Sequence, residues 1–276
     1  YQLSEHQGLN FGAENIRSNS VSVTSYSNSD ASRDARAVFV GYQAKYGALN
    51  TQANFRYDNL SSGQEAATGL LGIGYTFIPG FKAIANTSTG FNVPTLYEQT
   101  DTPALQPEKY KSQEIGLVTS NASHLTRLVY FNTSTSNAIS YTGGNSCWSN
   151  CYENIGQVDN KGFELSSKAS MYGYLVKLTA VTQDPWDVSN NVQLQRRAKE
   201  YGSIDVSKPI KNYDVGVKLY ASGERKDTTG GSGTLAGYSI WSFYASKKID
   251  QNWIARLKLD NAFDKEHQLA SGYNTP

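Results

Sequence analysis

Apolar and polar residues alternate with a period of two along almost the whole chain. In "TQANFRYD", Thr51, Ala53, Phe55 and Tyr57 fall on one face and Gln52, Asn54, Arg56 and Asp58 on the other. "YDVGVKLYAS" sets Tyr213, Val215, Val217, Leu219 and Ala221 against Asp214, Gly216, Lys218, Tyr220 and Ser222. "WIARLKLD" sets Trp253, Ala255, Leu257 and Leu259 against Ile254, Arg256, Lys258 and Asp260. Successive side chains of an extended chain point to opposite faces, so each stretch predicts a strand with one greasy and one wet side. About thirteen strands are predicted, near residues 8–22, 35–46, 49–60, 66–77, 81–90, 112–120, 123–140, 153–170, 173–183, 196–206, 213–224, 237–249 and 252–262. No segment carries a convincing helical period, so no amphipathic helix is predicted.

The connections add a second pattern. Short ones fall at Gly47–Ala48, Pro79–Gly80, Asn121–Ala122, Met171–Tyr172, Pro209–Asn212 and Asp250–Gln251. Between them come long ones around "SNSDASRD", "SSGQE", "NVPTLYEQTDTPALQPEKYK", "TGGNSCWSNCY", "DPWDVSNNVQ", "KDTTGGSGTLA" and the final tail. Strict alternation puts every long loop at one end. A soluble sandwich has no reason to do this; an outer-membrane barrel does, with short periplasmic turns and long outer loops. Tyr46, Phe77, Phe81, Tyr174, Tyr213 and Trp253 flank the short turns, where an interfacial aromatic girdle belongs. The expected fold is therefore all-β, a transmembrane antiparallel barrel wall over residues 1–276. Phe55, Val217, Leu219, Phe243 and Leu257 are expected to face lipid, and Asn54, Arg56, Lys218 and Lys258 the lumen. A slip of one residue would invert all of them together.

Single-chain barrels close with an even strand count, and an open edge in lipid leaves backbone groups unpaired. An odd count that begins and ends on outward-running strands predicts a piece, roughly strands 9 to 21 of about 22 in a plugged barrel. On this reading a plug, the earlier strands and one closing strand lie outside the segment.

Composition changes little. Mean hydropathy is −0.51, which a barrel tolerates because half of each strand is wet. No run approaches the ~20 apolar residues of a membrane helix. Net charge is +1, so no strong field calls for nucleic acid. Cys147 and Cys151 are the only cysteines. With three histidines and no further Cys a zinc site is hard to assemble, and a small disulfide loop in an oxidising compartment is expected instead. Asp184 and Asp187 make a thin shell for a calcium ion that takes six to eight oxygens, so no metal site and no cofactor is expected. His6, His124 and His267 share no spacing, His124 reading as an ordinary interfacial residue. No His is matched to a Ser on a strand face, which argues against an outer-membrane hydrolase. Candidate ligand contacts in the long loops are Tyr97, Tyr141, Trp148, Trp186, Asn190 and Arg196, with Arg197 at the same rim. Aromatic rings there suit a flat ligand or a sugar.

"TGFNVPTLYEQ" followed by "PALQPEKYKSQEIGL" resembles the TonB-dependent outer-membrane receptors. Phe91, Pro94, Leu96, Tyr97, Glu98, Leu105, Pro107, Glu108, Glu114 and Gly116 match the family phrase. Asn92 stands where Arg is usual and Gln106 where Lys is usual. Phe91, Pro94, Leu96, Glu98, Pro107 and Glu108 are carried over as structural positions. "YENIGQVDNKGFEL", "DPWDVSNNVQLQRRAKE" and "LDNAFDKEHQLASGYNTP" are similar to the cobalamin (vitamin B12) receptor branch. The resemblance implies active uptake of a scarce, large ligand into the periplasm. It implies energy from the TonB–ExbB–ExbD complex acting through a plug, with outer-membrane lipid and lipopolysaccharide around the wall. Ferric-siderophore and haem receptors share this plan, and a passive porin is the more distant alternative.

Overall fold

A computed structural model describes residues 1–23, 28–141, 147, 149–227 and 233–275. Thirteen strands of six residues or longer run through it, each antiparallel to the next. They are β1 (Gln7–Val23), β2 (Asn28–Tyr46), β3 (Leu49–Leu60), β4 (Glu65–Ile78), β5 (Phe81–Asn92), β6 (Glu108–Ser120) and β7 (His124–Ser136). The remainder are β8 (Gln157–Met171), β9 (Tyr174–Asp187), β10 (Glu200–Ile210), β11 (Tyr213–Ser222), β12 (Tyr238–Lys248) and β13 (Ile254–Leu259). All join one sheet in chain order, extended at its first edge by the short strand Gln2–Ser4. Among the described residues the two edges do not meet.

The pairing register carries one face across the whole wall. Phe55 opposes Val40, Leu71 opposes Thr87 and Ile115 opposes Tyr130. Tyr130 opposes Phe163, Leu178 opposes Ile204, Val206 opposes Val217, and Val217 opposes Phe243. Phe243 opposes Leu259 at the far edge. The other face runs from Asn54 through Leu70, Ser88, Ser112, Thr133 and Asn160. It continues through Lys177, Asp205, Lys218 and Ser242. Phe55, Val217, Leu219, Phe243 and Leu257 thus share one side, and Asn54, Arg56, Lys218 and Lys258 the other, as the period-two pattern predicts.

The wet face carries ion pairs and charge-assisted hydrogen bonds between neighbouring strands. Arg56 binds Glu14 at 2.8 Å and Asp58 at 2.9 Å, and Glu114 receives Arg127 at 2.9 Å and Asn86 at 3.0 Å. The opposite face leaves Phe11, Leu71, Ile115 and Leu257 between 62 and 74 % exposed. A continuous apolar surface of this size has no place in water and suits contact with hydrocarbon. No described helix is long and apolar enough to cross a membrane.

The connections depart from the expectation in several places. Most of "SNSDASRD" is strand: β2 begins at Asn28, and its residues 28–34 pair only with β1. That hairpin projects past the neighbouring strand by about 20 Å. The "SSGQE" link is a four-residue turn, Ser61–Gln64, so the long–short alternation is not strict. Turn chemistry explains this. "SNS" and "SSG" are polar enough to resemble loops, yet Ser and Asn fit a solvated strand, and Gly63 takes the left-handed φ of +81° that a tight turn needs. Tyr172–Gly173 makes the turn placed at Met171–Tyr172, again because glycine takes the positive φ, +76°.

A six-residue helix, α1 (Leu96–Asp101), stands where only loop was expected. Thr95 accepts a hydrogen bond from the Glu98 amide at 3.1 Å, and the Glu98 carboxylate accepts from the Thr95 amide at 2.7 Å. This reciprocal cap replaces the missing backbone partners of a helix start, which is why so short a helix forms.

Candidate functional site

The described parts of the long connections lie at the sheet end that also carries the Ser61–Gln64 turn, opposite the other tight turns. There α1 anchors the cysteine loop. The Asp101 carboxylate accepts from the Cys151 amide at 2.7 Å and from Thr102 Oγ1 at 2.8 Å. Asn154 Oδ1 accepts from the Gln106 amide at 2.9 Å. Short strands Ile139–Tyr141 and Tyr152–Asn154 pair at the base of the loop, and Cys147 and Cys151 form its disulfide. The matched phrase residues frame this arrangement. Pro94 is fully buried and its carbonyl accepts from Arg33 Nη1 at 2.6 Å. Glu108 accepts from the Ile139 amide at 2.8 Å, from Asn92 Nδ2 at 3.2 Å, and from the Tyr110 hydroxyl. Pro107 is buried, and Phe91 lies on β5 opposite Lys109.

Three tyrosines meet on this base. The Tyr97 ring stands edge-on to Tyr152 at 6.4 Å, and Tyr141 edge-on to Tyr152 at 5.4 Å. Tyr97 and Tyr141 are 61 and 54 % exposed. Tyr152 lies half-buried between them. Its phenol is pushed above the ordinary value, first by burial and then by the negative charge of neighbours that include Glu98 and Asp101. The outcome is an exposed, neutral aromatic platform beside an acidic rim. Sequence reasoning selected Tyr97 and Tyr141 and missed Tyr152. Its signal was weak, a tyrosine directly after Cys151; the Thr95–Glu98 spacing of a capping box was legible.

Trp186 and Asn190 occupy a second outer hairpin. Trp186 Nε1 donates to Asn191 at 3.3 Å, and Asn190 Nδ2 to the buried Asp187 at 2.8 Å. Asp184 and Asp187 are three apart in a strand and so point to opposite faces. Asp184 pairs with Lys199 at 2.7 Å. The two carboxylates therefore do not converge on one cation, and no metal-binding cluster occurs among the described residues. Arg196 belongs to a third group. Its Nε binds the fully buried Asp227 at 2.9 Å, and Asp227 also accepts from the Ser271 amide at 2.8 Å. His267 lies 4.2 Å from the Tyr238 ring in the same outer region. Arg197 is exposed. Trp148 lies outside the described residues. His124, by contrast, sits at a tight turn and bonds Thr119 Oγ1 at 2.7 Å.

Residues 2–262 match the family model described as TonB dependent receptor-like, β-barrel. The chain is 26 % identical to a vitamin B12 transporter, BtuB, of Vibrio vulnificus, over 95 % of this chain and 43 % of that protein. A BtuB of Vibrio cholerae is likewise 26 % identical, over 87 % of this chain and 40 % of its own length. The chain thus spans less than half the length of the curated relatives it matches. Among solved structures, the ferric enterobactin receptor PfeA of Pseudomonas aeruginosa aligns with a TM-score of 0.79. That alignment is at 14 % identity, over 99 % of this chain and 50 % of that one. The FrpB iron transporter of Neisseria meningitidis aligns with a TM-score of 0.73 at 14 % identity, over 96 % of this chain and 49 % of that one. Likeness at such identity speaks to the fold alone.

Proposed function

Because the chain belongs to the TonB dependent receptor-like β-barrel family, we propose that it supplies wall and outer mouth to a receptor that imports cobalamin. The protein lies in the bacterial outer membrane. In the proposed cycle, ligand docks on the outer loops and a plug inside the barrel, contributed by other parts of the whole protein, takes the pull of TonB–ExbB–ExbD. Lipid and lipopolysaccharide surround the wall. No covalent change to the ligand is proposed.

The observation that carries this reading is the Tyr97–Tyr152–Tyr141 platform. A corrin ring has broad apolar faces and a fringe of neutral amides. Exposed aromatic edges contact the one, and the Asn- and Ser-rich loops around Asn190 offer donors and acceptors to the other. Glu98 and Asp101 beside Tyr152 oppose an anionic ferric catecholate, so the platform fits a neutral ligand better than the ferric enterobactin for which the P. aeruginosa neighbour is named. The names of the Vibrio relatives point the same way. Arg196 is engaged with Asp227 and acts on this reading as a support for the rim.

Equilibrium binding to the full-length receptor tests the proposal, with cyanocobalamin, haem and a ferric catecholate as competing probes. Saturable cobalamin binding, weakened in a Tyr97→Ala/Tyr141→Ala variant, is expected. Tight binding of haem or the ferric chelate with none of cobalamin would overturn it.

A further inference from the structure

Two tyrosine–lysine pairs recur on the outward face beside the tight turns. Lys208 Nζ lies 4.3 Å from the centre of the Tyr174 ring, and Lys247 Nζ 5.0 Å from that of Tyr213. Register puts all four on the lipid side. Lys208 opposes Val215 and Lys247 opposes Tyr213, in line with Val206, Val217 and Phe243. Both lysines are half-buried along the sheet surface. Neither has a carboxylate partner among the described residues. Asp205 and Asp214 lie on the wet face, and Asp250 in the adjacent turn accepts from the amides of Asn252 and Trp253. The two lysines are two strands and two residues apart, about 12 Å between Cα atoms.

We propose that these pairs form a docking site for the phosphodiester headgroup of an anionic glycerophospholipid in the inner leaflet of the outer membrane. Each lysine stem covers apolar surface while its ammonium reaches headgroup depth, and the ring beneath holds it there. The phenol adds a second donor to a phosphate oxygen. Charge complementarity selects the occupant: two cations without protein counter-ions, held at the level where lipid phosphates lie. The inference rests on outer-membrane placement and not on the identity of the transported ligand.

The test uses the full-length receptor in nanodiscs of mixed phosphatidylglycerol and phosphatidylcholine, with retained lipid read by native mass spectrometry. Wild type should enrich phosphatidylglycerol. A Lys208→Gln/Lys247→Gln variant should lose about 25-fold in that preference, roughly fivefold per lysine near a membrane surface. Lys111→Gln, an outward lysine at the opposite rim, should keep it. Tyr174→Leu/Tyr213→Leu leaves the charge in place but unpins it, and should lower the preference even if the glutamine variant does not fold. Equal enrichment in every variant would overturn the proposal. So would an equal loss in Lys111→Gln, or displacement of the lipid by inorganic phosphate, which would make this a free-anion site.

Discussion

Val217→Arg tests the face assignment directly. Val217 lies between Val206 and Phe243 on the outward face, four residues along β11 from Tyr213 at the inner girdle. With about 3.4 Å per residue and a strand tilt near 40°, four residues rise about 10 Å. The apolar band is about 25 Å tall, so Val217 sits close to its midplane. An arginine there should cost about 2–4 kcal/mol, against about 0–1 kcal/mol for Tyr213→Arg at the interface. Lys218→Arg points into the lumen beside Asp205 and Ser242 and should be near neutral. Denaturant unfolding of the full-length receptor in vesicles, with slopes checked for constancy, measures all three. Equal costs for Val217→Arg and Lys218→Arg would refute the register, and a larger cost at Tyr213 would refute the depth.

Thr95→Ala removes one half of the α1 cap, so the helix should weaken by about 1 kcal/mol; under the proposed function, affinity for the transported ligand should fall while the barrel's unfolding midpoint stays put. Asp227→Ala leaves Arg196 and the Ser271 amide without this acceptor. Arg196 is 43 % exposed, so the local cost should be about 2 kcal/mol, below that of a fully buried pair. Limited proteolysis should then cut near residues 225–235 and 267–275 sooner than in the wild type. Cys147→Ser/Cys151→Ser opens a very short loop, worth about 2 kcal/mol of local order; ligand affinity should drop and barrel stability should not. Tyr152 titrates above an ordinary tyrosine. Its stabilising effect is whole below about pH 10, the unfolded value, and is lost as pH rises through the raised folded value. A late phenolate absorbance step should therefore vanish in Tyr152→Phe.

Strand number and strand faces were legible in the order of residues alone. Side chains of a strand alternate by geometry, and a sheet wetted on one side and oiled on the other must write that alternation into its sequence. The same reasoning could not tell polar strand from polar loop. Residues 28–34 and Ser61–Gln64 have similar composition, and their fates depend on whether a neighbouring strand offers backbone partners. The outer mouth was least legible. Tyr97, Tyr141 and Tyr152 come from segments up to 55 residues apart, and they meet because Asp101 holds the Cys151 amide. Asp227 likewise joins Arg196 to Ser271. A local pattern reports which face a residue takes on its own strand. Which distant loop it will meet is decided only when the sheet curves and brings the strand ends together.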